Sequence, residues 1–182
     1  MAVRRVLRMG DPRLLAEAEP VPESAFGGDW LRALVEDLWD TMRARGGAGL
    51  AAPQIGVGRR VVVFEVGRLP RYPQAEPVPA TVLVNPVLEP LPEHGWEGAW
   101  EGCLSIPGLR GWVERPARVR YRAVDVEGRP IEREVTGFHA RVVQHECDHL
   151  DGVLYPQRMR DLRRFGFVEE LAEAGLLPGP RR

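Results

Sequence analysis

The chain has 182 residues, 44% of them hydrophobic, enough for one domain with a proper core and too few for two. Its 25 basic residues, all arginine, against 26 acidic ones leave a formal net charge of −1, so bulk charge calls for neither nucleic acid nor an anionic membrane as partner. No run approaches the roughly 18 apolar residues of a membrane span. The basic start MAVRRVLRMGDPRLL is interrupted by Arg8 and Asp11 before a signal-peptide core can form, so the chain is expected in the cytoplasm, where a disulfide between Cys103 and Cys147 is uncommon.

In chain order, DWLRALVEDLWDTMRARGG places Leu31, Leu34, Val35, Leu38 and Met42 on one stripe. That spacing predicts a helix over about 29–45, with Asp29 as N-cap and Gly46 and Gly47 as its stop. RRVVVFEV (59–66) and PATVLVNP (79–86) read as strands, and the proline-rich RLPRYPQAEPVP between them reads as a loop. His94, Trp96 and Trp100 fall in another expected loop. From 117 to 136, Val119, Tyr121 and Ala123 alternate with Arg118, Arg120 and Arg122, then the phase slips at Val124 and Val126 before a turn at Glu127 and Gly128. A hairpin with a bulge at the slip is expected. A second helix runs from about Gly137 to Gly152, where glycine takes the left-handed C-terminal position. A last helix over DLRRFGFVEELAEAG has Leu162, Phe165, Val168 and Leu171 on its apolar side and ends before Gly175. The expectation is a single α+β domain over 1–182: antiparallel sheets around a central metal-binding helix, with an N-terminal helix and a C-terminal helix and tail over about 160–182.

The second helix carries QHECDHL. Residues four apart are rotated by about 40° and displaced by about 6 Å, so His145 stacks over His149 and two imidazoles can share one ion. Cys147 lies about 200° round the helix from His145 and should point into the core. Glu146 sits near the ion face but off the stack, where a carboxylate reaches a metal-bound water. Histidines at helical spacing are often structural, and His-Glu-x-x-His also arises by chance, so a third ligand decides. No histidine follows His149. Glu169 and Glu170 are formal candidates downstream. Upstream, Cys103 in EGCLS offers a thiolate that completes a tetrahedral set with one open position.

GAGLAAPQ (47–54), EGCLS (101–105) and HECDH (145–149) resemble, in order and spacing, the three signature motifs of the bacterial peptide deformylases. VLRMGDPRLL and IPGLRGWVERP are also similar to that family, so the resemblance extends to about residue 160. It implies a metal-dependent hydrolase that removes the N-formyl group from the N-terminal methionine of nascent chains and releases formate. Cys103, His145 and His149 would hold one divalent ion, iron(II) in the cell, with zinc, nickel or cobalt as substitutes. Glu146 would take the proton of the attacking water and pass it to the departing amine. The Gln54 amide and the Leu104 backbone N–H would stabilise the oxyanion.

The substrate-binding set expected on these grounds is Ala48, Gly49, Gly102, Arg110, Phe138, Arg141 and Val142. Gly49 lets a peptide backbone approach, whereas Gly46 reads as an ordinary loop glycine. Ala48 stands where relatives carry a branched aliphatic residue, which widens that wall. Phe138, Arg141 and Val142 lie on the turns before His145, beside an apolar pocket suited to methionine. Arg141 either meets the substrate backbone at the pocket rim or snorkels into solvent. Asp148 and Arg115 are candidates for an ion pair behind the ligands; His139 and His94 read as core or surface residues. The expected partners are N-formylmethionyl nascent peptides, with no DNA and no membrane. Arg158, Arg160, Arg163 and Arg164, bunched at the last helix, form a solvated face or a ribosome-docking one. A zinc endopeptidase and a module with a structural zinc are the alternatives. Cleavage of an unblocked peptide would mark the first, and a site closed by four protein ligands the second.

Overall fold

In the computed structural model, which describes residues 2–67 and 77–177, the apolar runs settle into two antiparallel sheets and three α-helices. The elements are α1 (Asp29–Ala44), β1 (Gly49–Ala51), β2 (Val61–Val66), β3 (Val78–Pro90), β4 (Trp96–Cys103), β5 (Ile106–Pro116), β6 (Arg118–Val124), β7 (Pro130–Thr136), α2 (Gly137–Leu150), β8 (Phe165–Phe167) and α3 (Val168–Glu173), joined by short 3-10 turns. One sheet has the order β1-β2-β3-β6-β7 and the other β4-β5-β8. No described helix is long and apolar enough to cross a membrane.

The run VVVFEV lacks polar–apolar alternation because β2 is covered on both faces. Val62, Phe64 and Val66 join the core packed by α2, and Val61 and Val63 join the core packed by α1. Burial of each such side chain contributes roughly 1.5–3 kcal/mol. α1 buries the whole expected stripe, Leu31, Leu34, Val35, Leu38 and Met42. Its N-cap is Gly28 and not Asp29, which is the first helical residue and offers its carboxylate to the positive end of the helix dipole. Gly46, at φ 62°, turns the chain out of α1.

Several expectations need correction. β3 does not stop at 86 but continues to Pro90, because Asn85 adopts φ 53° and forms a bulge between Val84 and Val87. Its side chain accepts from Val21 N and donates to Val21 O, which holds that conformation. Of the loop expected over 68–79, Val78 and Pro79 belong to β3, and 68–76 lie outside the described residues. The β6–β7 hairpin keeps its register from Arg118↔Thr136 to Val124↔Pro130 with no bulge. The apparent phase slip is the end of β6, where Asp125 accepts from the N–H groups of Glu127 and Arg129 and builds the turn. Trp96 and Trp100 stand on β4, not in a loop. The last helix is shorter than expected: Phe165–Phe167 pairs with β5 as β8, and only Val168–Glu173 is α-helical.

Candidate active site

β4 and β5 pair from Trp96↔Pro116 to Cys103↔Ile106, leaving Leu104 and Ser105 as the turn, with a register shift between Glu101 and Cys103. The shift falls at Gly102, where a Cβ would overlap the Arg110 guanidinium. It leaves both Glu101 and Cys103 buried and directed at α2. On α2 the two faces divide as helical spacing predicts. Ala140, Val143, Cys147 and Leu150 enter the core, and the Cys147 thiol is pushed up by burial, as befits an inert core residue.

His145 and His149 face the end of β4. Their ring centroids are 5.2 Å apart, and the ligand atoms of Cys103, His145 and His149 all lie within 4.8 Å of one another. Cys103 Sγ is 3.3 Å from His149 Nε2 and receives the Ser105 N–H at 3.4 Å. Burial opposes ionisation of this thiol, but His149 and His145 outweigh it and hold its pKa well below the ordinary value, toward the thiolate a metal requires. A buried thiolate and two imidazoles converging this closely fit a single metal ion. Among the described residues no other group of this kind is present, and the downstream Glu169 and Glu170 are exposed on α3.

Glu101 is a residue of the site that no signal in the sequence singled out. Its Oε2 accepts from His145 Nδ1 at 2.9 Å, which leaves His145 Nε2 for an ion. Arg115 grips both oxygens of Glu101 at 2.7 and 2.9 Å and reaches Asp148 at 2.9 Å, so the expected Arg115–Asp148 pair exists as part of a larger network. Burial alone would raise the Glu101 pKa; Arg115 and His145 reverse that and keep it ionised. Arg141 belongs to this network. Its guanidinium donates to Glu101 at 2.7 Å and to the carbonyls of Val113 and Glu97 at 3.1 and 2.6 Å. At 8% exposure it does not snorkel into solvent; the pull of a buried carboxylate turns it inward.

A cleft of about 600 Å³ opens over these groups. Ala48, Gly49, Gly102, Arg110, Phe138, Arg141 and Val142 all line it, with Gln54, Cys103, Leu104, His145 and Glu146. Gly49 has a reason beyond substrate approach: a Cβ there would overlap the Glu146 carboxylate, which lies against its Cα. Glu146 Oε2 is buried with no hydrogen-bond partner among the described residues, and burial pushes its pKa up to about 7. The Gln54 Oε1 accepts from Ala51 N at 2.9 Å, which aims its amide nitrogen at Ser105 Oγ and Cys103 Sγ, 3.1 and 3.4 Å away. Leu104 is half-buried at the turn. His139 lies apart, between the Phe64 ring and the Tyr121 hydroxyl, and His94 sits in a 3-10 turn. The sequence reading also missed Arg5, Arg8 and Arg45 on the cleft wall; no periodicity marks them.

Comparison with known proteins agrees with this geometry. Residues 3–165 match the family model described as polypeptide deformylase. Peptide deformylase 1 of Nitrosomonas europaea is 60% identical over 169 residues, covering 93% of this chain and 94% of that protein. A Met-Ala-Ser-bound class I type b peptide deformylase from Acinetobacter baumannii superposes with a TM-score of 0.83 at 37% identity, covering 87% of this chain and 99% of the other. The Thermotoga maritima peptide deformylase gives 0.75 at 35% identity, covering 88% and 100%. The endopeptidase and structural-zinc readings give way to these likenesses. Fold, motif order and converged donors lead to one assignment: the chain belongs to the polypeptide deformylase family, metal-dependent hydrolases that remove the N-formyl group from the N-terminal methionine of nascent peptides.

Proposed function

We propose that Cys103, His145 and His149 ligate the single divalent ion of this enzyme and that Glu146 moves the proton of the reaction. The observation that carries the reading is the buried, unpartnered Glu146 oxygen beside three converged donors. A divalent ion held by this set supplies Lewis acidity, which lowers the pKa of water and polarises a carbonyl. Glu146 takes the proton of the attacking water on its carboxylate and delivers it to the methionine nitrogen as the formyl C–N bond breaks; formate and a free amine leave. The Gln54 amide N–H and the Leu104 backbone N–H donate to the oxygen that becomes negative at the tetrahedral stage.

Phe138 and Val142 form the apolar wall for the methionine side chain, Ala48 and Gly49 border its backbone, and Gly102 leaves room for Arg110. Arg141 serves that wall through its stem while its head holds Glu101. The Met-Ala-Ser peptide bound by the Acinetobacter enzyme is a product-like occupant for the same cleft here. Iron(II) is the proposed ion in the cell, with zinc, nickel or cobalt accepted by the same donors. The chain acts as one catalytic domain in the cytoplasm. Ribosome docking is proposed through the exposed Arg160 and Arg163, although these pair with Glu114 and Asp161 and do not stand on the basic helix that was expected. Co-sedimentation with ribosomes of the full chain carrying Arg160→Glu and Arg163→Glu tests the docking, and unchanged co-sedimentation would remove it. For the site, Cys103→Ala, His145→Ala and His149→Ala should each lose the metal. Gln54→Ala should keep it and lower kcat about 100-fold, the cost of one oxyanion donor. Full metal content in a ligand variant would overturn the assignment.

A further inference from the structure

Most described arginines meet a carboxylate, as Arg13 meets Asp11 and Arg120 meets Glu134. Six of the described arginines do not: Arg133, Arg164, which lies over the Trp112 ring, and four that all line the cleft, Arg5, Arg8, Arg45 and Arg110. They reach it from three directions: the N-terminal segment, the C-cap of α1, and β5. Arg110 donates only to the Leu109 carbonyl, and Arg5 senses Asp11 only at longer range. The acidic residues lining the cleft, Glu101 and Glu146, are both buried at its floor, and Arg115 and Arg141 already offset Glu101. The mouth is therefore cationic in a protein whose formal net charge is −1. Guanidinium groups at the wall of a cleft with no carboxylate partner among the described residues concentrate positive potential there and draw carboxylates.

We infer that Arg5, Arg8, Arg45 and Arg110 form an anion-binding collar that selects nascent chains with acidic side chains a few residues after the formyl-methionine. An extended chain advances about 3.3 Å per residue, so the residues that follow the methionine of a peptide seated over Cys103 run along the wall that the four line. The four line the same cleft as Cys103, His145 and Glu146, so the peptide that enters for deformylation is itself the chain that meets them, and its carboxylates are the anions it offers. The inference rests on the cleft being the deformylation site.

The test compares kcat/KM of the metal-loaded enzyme for C-terminally amidated formyl-Met-Ala-Glu-Glu, formyl-Met-Ala-Gln-Gln and formyl-Met-Ala-Lys-Lys at low and high salt. The glutamate peptide should exceed the glutamine peptide about fivefold to tenfold at low salt, with the gap closing as screening rises. Charge reversal with Arg8→Glu plus Arg45→Glu should invert the order in favour of the lysine peptide, a gain that misfolding does not produce. Equal turnover of all three peptides would overturn the collar while leaving the deformylase site intact; failure on all three would instead refute the site. Retention of the glutamate preference in the reversed variant would also overturn it. So would inhibition by polyuridylate at far lower concentration than by an acidic peptide, which would make phosphate the ligand.

Discussion

Glu101 ties the Cys103–His145–His149 cluster to the fold, because its carboxylate receives His145 Nδ1, the Nε and Nη2 N–H groups of Arg115 and one N–H of Arg141 inside the protein. Removing one member of a buried ion network strands the others, at a cost of about 3–5 kcal/mol. Glu101→Ala should therefore lower the unfolding free energy by that order in urea titration, and weaken metal retention against a chelator about 10–100-fold. Unchanged metal affinity in a folded variant would show that His145 needs no such anchor. Gly49→Ala tests a different contact, since the added methyl occupies space held by the Glu146 carboxylate. It should lower kcat at least tenfold with metal content unchanged, as measured by formate release and metal analysis on one sample. The convergence of Cys103, His145 and His149 was legible in sequence because these residues are chemically conspicuous at a spacing one helix and one turn can satisfy. Glu101 and the inward-facing Arg141 were not, because charged residues are ordinarily assigned to solvent and only tertiary structure reveals a buried network.

At the scale of elements, α1 was readable from its 3.6-residue spacing, α2 from its glycine stop at Gly152, and the hairpin β6–β7 from the alternation of Val119, Tyr121 and Ala123 with arginines. β4, β5 and β8 were not, because WEGAWEGC and IPGLRGWVERP interleave glycine, tryptophan and charge with no clean alternation of buried and exposed positions. β8 bears directly on the site. Its Phe165 packs on Tyr155 with ring centroids 6.3 Å apart, and Tyr155 stacks on His145 at 6.2 Å. It also covers the free edge of β5 from Leu109 to Gly111. Truncation after Arg164 should therefore reduce thermal stability, promote aggregation and loosen the metal relative to the full chain. Equal behaviour of the two in thermal melts and light scattering would deny β8 that role.

For the whole molecule, one five-stranded sheet packed between α1 and α2 carries the core, and the smaller sheet presents the cysteine turn to α2. On α2, the half-buried His139 packs against Phe64 and Tyr121 of this sheet, and burial, aided by Arg133, lowers its pKa to about 4. The unfolded chain binds this proton from about pH 6.5 downward and the folded one only near 4, so stability is lost as pH falls through that window. His139→Gln should flatten the decline of Tm between pH 7 and 4.5, and a parallel decline in both proteins would assign the effect elsewhere. The central claim, that a Cys103–His145–His149 ion and the Glu146 carboxylate together remove formyl groups, is tested most directly by anaerobic assay of formate release from a formyl-methionyl peptide, with Glu146→Gln run alongside and metal measured in both. The account predicts rapid release by the wild type with about one metal per chain, and a loss of at least about 100-fold in the variant with metal retained. Undiminished release by the metal-loaded variant would contradict it.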